Sequence, residues 1–208
     1  MSPRTKEQNE KIREERMKQI RLATVQVYLQ KGYQGAEIGD IAKQAGLARG
    51  LVYYYYKDKT ELFQFVFTHY LEGAKQFVAA TLLTEEPPLD RLKRYARFYL
   101  DNAVTRPNLV ALYRNIPADI PHVFGERAKV VLDDFMANIS MPLIRTMEEG
   151  ARMGIIVPAD TSLLAQMFWG CVAGAMAEFG TRALTPEEAE PHIRDVLDML
   201  LRMITAAK

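Results

Sequence analysis

Seven residues in one short stretch carry side chains, or the lack of one, suited to contacting nucleic acid: Lys43, Arg49, Gly50, Tyr53, Tyr54, Tyr55 and Lys59. A guanidinium can bond guanine O6 and N7 together, so Arg49 suits a base edge; a phosphate contact or a free surface position is the alternative. Tyrosine hydroxyls and lysine ammonium groups suit phosphate oxygens. Tyr53 fits a thymine methyl or a phosphate, Tyr54 and Tyr55 a phosphate or sugar. Lys43 and Lys59 fit the backbone or simple solvation. Gly50 lets a helix approach DNA closely. The four consecutive tyrosines Tyr53 to Tyr56 cannot all be buried in one small helix, so some must face outward.

These residues need a frame. Residues 38–45 and 49–56 read as two short helices around a turn at Gly46. Glycine takes the left-handed conformation that ends a helix without steric cost. Ile41, Ala42 and Ala45 share a face of the first helix, Leu47 fills the corner, and Val52 points inward from the second. Helix, glycine turn, helix is the arrangement that places a recognition helix in the major groove.

The spaced set Gly32-Tyr33, Ile41-Ala42, Ala45-Gly46, Gly50, Val52-Tyr53, Tyr55-Tyr56, Lys59 and Leu62 resembles the N-terminal domain of the tetracycline-repressor (TetR) family. The resemblance covers about the first third of the chain. It implies a DNA-binding head, a ligand-binding body, and a homodimer joined by a four-helix bundle from the last two helices of each subunit. It gives Lys59 the position of a phosphate-binding lysine and Tyr56 that of a core phenylalanine. Ala48, Glu37 and Leu51 depart from the pattern, each standing where the family often has a hydroxyl residue.

The rest of the chain reads as helices. Ile20, Ala23, Val27 and Tyr28 form an inward stripe ending at Gly32, and the first dozen residues are expected to fray. Asp58 and Glu61 open a long helix as in a capping box. Thr84 to Asp90 form a loop. A helix over Arg91 to Thr105 carries Tyr95, Phe98 and Tyr99. A short one over Asn108 to Asn115 is bounded by Pro107 and Pro117. Residues 122–152 are helical, with Pro142 dividing or kinking them. Asp160 and Thr161 cap a helix through Leu184, and Thr185 to Glu188 form a capping box opening the last. The expectation is an all-α fold of about nine helices: a three-helix head over 10–58 and a ligand-binding and dimerisation body over 59–205.

The body is dense in aromatic and methionine residues. Most are core on composition alone, but such a lining also suits a flat or long apolar ligand. The candidate ligand contacts are Phe98, Tyr99, Tyr113, Met147, Phe168 and Trp169. Arg97, Asn102, Arg114, Asn115 and Asn138 are polar candidates among which the sequence does not choose. Gly170, Ala173, Gly174 and Ala177 place small residues on one side of a helix, suited to a dimer interface or to packing within the chain.

Catalysis finds little support. His69, His122 and His192 are far apart and lack ligand spacing, so no metal is expected. Asp133-Asp134 and Glu148-Glu149 are adjacent pairs facing different ways on a helix. No nucleophile or phosphate-loop motif is present, and no cofactor is expected. Residues 1–60 hold 12 Lys+Arg against 7 Asp+Glu, and the remainder 15 against 19. A basic front on a mildly acidic back fits a DNA head on a non-DNA body. Cys171, the only cysteine, lies in an apolar run expected to bury it, which fits a reducing cytoplasm. The N-terminus lacks a signal-peptide core, and the uncharged run Ser162 to Ala177 is short for a span of about 20 residues; it reads as a buried helix, with no membrane partner. The expected function is a cytoplasmic transcription regulator, a repressor released from double-stranded operator DNA by a hydrophobic small-molecule effector. The alternative is a helical small-molecule-binding or interaction protein with a degenerate helix-turn-helix.

Overall fold

The computed structural model describes residues 6–182 and 184–206. Ten α-helices follow one another among them: α1 (Lys6–Gly35), α2 (Ile38–Ala45), α3 (Arg49–Tyr55), α4 (Lys59–Leu82), α5 (Pro88–Thr105), α6 (Pro107–Phe124), α7 (Ala128–Phe135), α8 (Met141–Arg152), α9 (Thr161–Arg182) and α10 (Pro186–Ile204). A 3₁₀ turn at Gly125–Arg127 precedes α7, and a π turn at Met136–Ser140 joins α7 to α8. The only extended pairing among the described residues is an isolated antiparallel bridge between Ile156 and Thr205. The fold is all-α.

By packing, the chain forms two compact units. One comprises the chain up to Tyr70 with Ala118–Ala128; the other comprises Leu71–Pro117 with the chain from Lys129 on. The sequence boundary at 58/59 marks the start of α4, but the opening turns of α4 pack in the first unit. Leu62, Phe63, Val66 and Phe67 are all buried there.

The first unit, the head, is built on an aromatic core. Tyr28 and Tyr33 meet Phe63 edge-on at 5.9 and 5.0 Å, and Tyr28 meets Phe67 at 5.4 Å. The expected stripe of Ile20, Ala23, Val27 and Tyr28 is buried. The Tyr28 hydroxyl donates to Asp119 Oδ2 at 2.5 Å, tying α1 to the end of α6. α1 breaks at Gly32, whose φ of 67° and ψ of 176° lie outside the helical region. The fraying expected of the first dozen residues is not seen over 6–12, which are helical; residues 1–5 lie outside the described residues.

In the second unit, the body, α5 and α9 pack side by side with α8 and α10 against them. α5 begins at Pro88, earlier than expected, with proline at the first helical position where its missing N–H costs nothing. α6 does not stop before Pro117 as the sequence suggested but runs through it and Pro121. Ile116, Ile120 and Val123 are buried on one side of it, so packing outweighs the bonds the prolines remove. Pro142 does divide its segment: the break is the π turn, where the Met141 N–H bonds back to the Met136 carbonyl. The capping box at Thr185 forms in both directions, between the Thr185 N–H and Glu188 Oε2 and between the Glu188 N–H and Thr185 Oγ1. Asp160 caps α9 through the N–H groups of Ser162 and Leu163.

One ion pair in the body has no signal in the sequence. Arg91 is only 4% exposed. It donates to the Leu82 carbonyl at 2.8 Å, closing the end of α4, and to Glu149 Oε2 on α8 at 2.5 Å.

Candidate DNA-reading surface and ligand cavity

The head presents its candidate contacts on α3 and its flanks. Gly46, at φ 66°, ends α2, and its N–H and that of Leu47 bond the last carbonyls of that helix. α3 then starts at Arg49. Val52 is fully buried and anchors the helix, while Tyr53 is 43% and Tyr54 79% exposed. Arg49, Gly50 and Lys43 are exposed as well, and Tyr55 is half-buried. Arg49 donates to the Tyr53 hydroxyl at 3.3 Å and lies 5.5 Å from that ring's centre, so the two side chains form one unit on the outer face. Tyr54 and Tyr55 meet edge-on at 5.2 Å. The structure brings Arg49, Gly50, Tyr53, Tyr54 and Tyr55 together on a single short helix.

The departures from the family pattern have visible consequences. Glu37 and Ala48 are the N-caps of α2 and α3, and neither supplies a side-chain cap. Tyr56 is buried, as a core position requires, but its hydroxyl has no hydrogen-bond partner among the described residues. Burial pushes that phenol up to about 12.

Lys59 is neither free nor merely solvated. Its ammonium donates to the carbonyls of Tyr33 and Gln34 at 3.0 and 3.2 Å and lies 4.8 Å from the centre of the Tyr33 ring. It clasps the end of α1, so two of its three donors are already used. Lys57, two positions earlier, has an exposed side chain. The capping contacts at the start of α4 are close to the expected box: Asp58 accepts from the Glu61 N–H, and Glu61 accepts from the Lys57 N–H.

The body contains a cavity of about 360 Å³. Its wall comes from α4, α5, α6, α7, the π turn, α8 and α9. Of the six residues chosen from sequence, Tyr99, Tyr113 and Trp169 line it, and Phe98, Met147 and Phe168 do not. Phe98 is 36% exposed and stacks on Phe77 at 3.7 Å. Met147 and Phe168 are fully buried away from the cavity. Phe168 and Trp169 are neighbours on one helix, so a step of about 100° sends them to different surroundings. Phe135, Met136, Ile139 and Leu143, none of them among those six, also line the cavity, from α7, the π turn and α8.

The aromatic wall is internally satisfied. Tyr95 and Tyr99 share a side-chain hydrogen bond, and burial holds both phenols well above their ordinary range. Trp169 meets Tyr99 edge-on at 4.9 Å. Among the polar candidates, Arg114 alone reaches the cavity. Arg97 is held by Asp101 and Glu190, Asn102 by the Phe98 carbonyl, and Asn138 by Asp134.

α9 is not the buried helix expected from its composition. Leu164, Phe168, Val172, Met176 and Phe179 face the body, but Leu163, Met167, Gly170, Cys171, Gly174 and Ala177 are exposed and Ala173 is half-buried. Cys171 is therefore exposed, against expectation, because it falls on the outer side beside Gly170. Nothing lies within 4 Å of where a side chain at Gly170 or Gly174 would begin. α9 is also the one helix among the described residues long and apolar enough to cross a membrane by length and composition; a third of its most apolar window is buried. No group of three His, Cys, Asp or Glu residues placed to hold a metal occurs among the described residues.

The sequence pattern of the bacterial regulatory proteins of the tetR family matches residues 20–66, which span α2 and α3. The uncharacterized HTH-type transcriptional regulator YhgD of Bacillus subtilis (strain 168) is 25% identical over 151 residues, 73% of this chain and 77% of that protein. The fold matches the ketosteroid transcriptional regulator KstR2 of Mycobacterium tuberculosis with a TM-score of 0.77 at 16% identity, over 92% of this chain and 96% of that one. It matches the transcriptional regulator FadR from Bacillus subtilis, solved in complex with stearoyl-CoA, with a TM-score of 0.64 at 20% identity, over 88% and 96% of the two chains. The tetR-family sequence pattern thus lies on the observed helix-turn-helix, and the fold through the body is similar to that of these solved transcriptional regulators.

Proposed function

We propose that the chain is a dimeric repressor that leaves its operator when a hydrophobic small molecule fills the body cavity. The observation that carries this reading is α3: a helix anchored by Val52 with Arg49, Tyr53 and Tyr54 turned outward. Arg49 reads a guanine edge. Tyr54, Tyr55, Lys43 and Lys57 hold phosphates and set the helix in the groove. One seven-residue helix meets too few bases for useful specificity, so two heads are needed, about 34–36 Å apart for one DNA turn. The exposed apolar and small residues of α9 supply the pairing face, since glycine and alanine let two helices approach closely. DNA as partner goes with a cytoplasmic location.

A ligand shifts the spacing of two heads only by its differential affinity for the two states, typically about 1–3 kcal/mol. Two continuous helices are suited to carry that preference. α4 contributes Leu71 and Ala74 to the cavity and Lys59 to the head. α6 contributes Tyr113 and Ile116 to the cavity, then Asp119 to the bond with Tyr28. The stearoyl-CoA held by the B. subtilis FadR supports an apolar effector for this fold.

The test is selection of genomic DNA fragments on the purified protein, followed by fluorescence anisotropy at fixed salt. Expected are a two-fold related site bound by a dimer and a preference of about 10³-fold or more over random DNA. Equal affinity for selected and random fragments would leave the alternative, a small-molecule-binding or interaction protein with a degenerate helix-turn-helix; the missing caps on α2 and α3 are what favour it.

A further inference from the structure

Resting on the reading of the cavity as the effector site, we propose a chemical class for its occupant: an organic monoanion, a carboxylate on an apolar body, inserted body-first with its carboxylate at Arg114. Arg114 is the only formally charged residue in the cavity wall among the described residues; no Asp, Glu or His lines it. It makes no ion pair or hydrogen bond among the described residues.

The wall is graded. Leu71, Ala74, Tyr95, Ile116, Leu143 and Ala165 are buried and form an apolar floor. The exposed rim holds three polar residues, Arg114, Ser162 and Gln166, and one apolar one, Met136. An amphiphile fits that gradient in one direction. Its apolar body leaves water for the floor, and its charge stays at the rim, where the guanidinium fork meets both carboxylate oxygens. The heavy desolvation cost of a fully buried ion pair is avoided there. A cavity of about 360 Å³ lies at the small end of ligand pockets, so the apolar body is modest in size.

A cationic ligand fits less well. No carboxylate in the wall would pair it, and Arg114 repels it. Aromatic rings bind cations by their faces, but Tyr95, Tyr99 and Trp169 turn edges and faces toward one another, at 66° for Tyr95–Tyr99 and 77° for Tyr99–Trp169.

The test uses decanoate, methyl decanoate and decylamine below their aggregation limits. Binding to the full-length protein is followed by calorimetry and by Trp169 fluorescence. Decanoate should bind about tenfold or more tightly than the ester or the amine, the scale of a charge-assisted hydrogen bond. In Arg114→Gln that advantage should vanish while ester affinity is unchanged, which also shows that the variant is folded. An ester that binds as well as the acid, or an acid preference that survives Arg114→Gln, overturns the anion assignment and leaves the cavity reading standing. If none of the three binds, the cavity reading falls and takes this proposal with it.

Discussion

Tyrosines on the recognition helix turn outward, and those in the body turn inward. Tyr54 is 79% exposed, whereas Tyr95 is 3% exposed. The exposed phenols lack a full set of partners within the chain and suit groups that arrive from outside, such as phosphate oxygens. The buried ones satisfy each other, Tyr95 with Tyr99, and so set the shape of a wall. The same side chain serves a convex surface in one unit and a concave one in the other. The convex surface is made from consecutive residues of one helix; the concave one is assembled from six helices and a π turn.

Separate perturbations should keep these two surfaces distinct. The largest effect is expected from Ala165→Trp, which fills the cavity from α9. Effector affinity should fall roughly 100-fold, about 2.7 kcal/mol, with DNA affinity in the absence of effector unchanged; anisotropy with and without ligand measures both. Arg49→Ala should cost about 1–3 kcal/mol on the selected site and little on random DNA. Lys57→Ala should weaken both and lower the salt slope by about one unit. Equal losses on both DNAs for Arg49→Ala would show that Arg49 is a phosphate contact.

Lys59→Ala is expected to act on folding, removing about 1.5 kcal/mol of stability with its two carbonyl bonds. Urea unfolding measures it; an unchanged midpoint with weaker DNA binding would return Lys59 to a phosphate role. Tyr56→Phe should stabilise by about 1 kcal/mol, because it deletes a buried hydroxyl that has no partner. The smallest effect concerns His69. Burial and then the positive Arg21 hold its imidazolium below the ordinary range. The unfolded chain therefore binds that proton more readily. Stability from this source is complete above about pH 6.5 and is lost as pH falls through the lower folded value. The melting temperature should drop between about pH 7.5 and 5.5, and less so in His69→Gln.

The difference between the surfaces also explains what the sequence revealed. Arg49 to Tyr55 are neighbours in the chain, so spacing alone placed them on one helix beside the Gly46 turn. Val52 inward and Tyr54 outward follow from helical geometry within a single segment. The cavity has no such local signature. Tyr99, Tyr113 and Trp169 come from three helices, and their composition said only that the body is aromatic. Phe98 and Phe168 have the right residue type but the wrong direction, which depends on how α5 and α9 pack. Arg91 was invisible for the same reason, since a buried arginine is a property of neighbours distant in sequence. The small residues of α9 were legible as one face, but whether that face packs within the chain or stays open depends on such neighbours.

The π turn at Met136–Ser140 has a consequence for chain length. Such a turn holds one residue more than an α turn, so this stretch amounts to a single-residue insertion in a helix that would otherwise run from Ala128 to Arg152. Each residue rotates a helix by about 100°, and the wider turn absorbs that rotation, so α7 and α8 stay in phase across the extra residue. Deleting Ala137 or Asn138, neither of which lines the cavity, would convert the π turn to an α turn and leave Leu143 and Ile144 in the wall. The cost would fall on the helix, because Pro142 would then stand inside an unbroken ladder that it cannot complete. A second inserted residue would find no such slack and would swing Leu143 and Ile144 out of the wall, so this wall should accept the loss of one residue here far more readily than the gain of one.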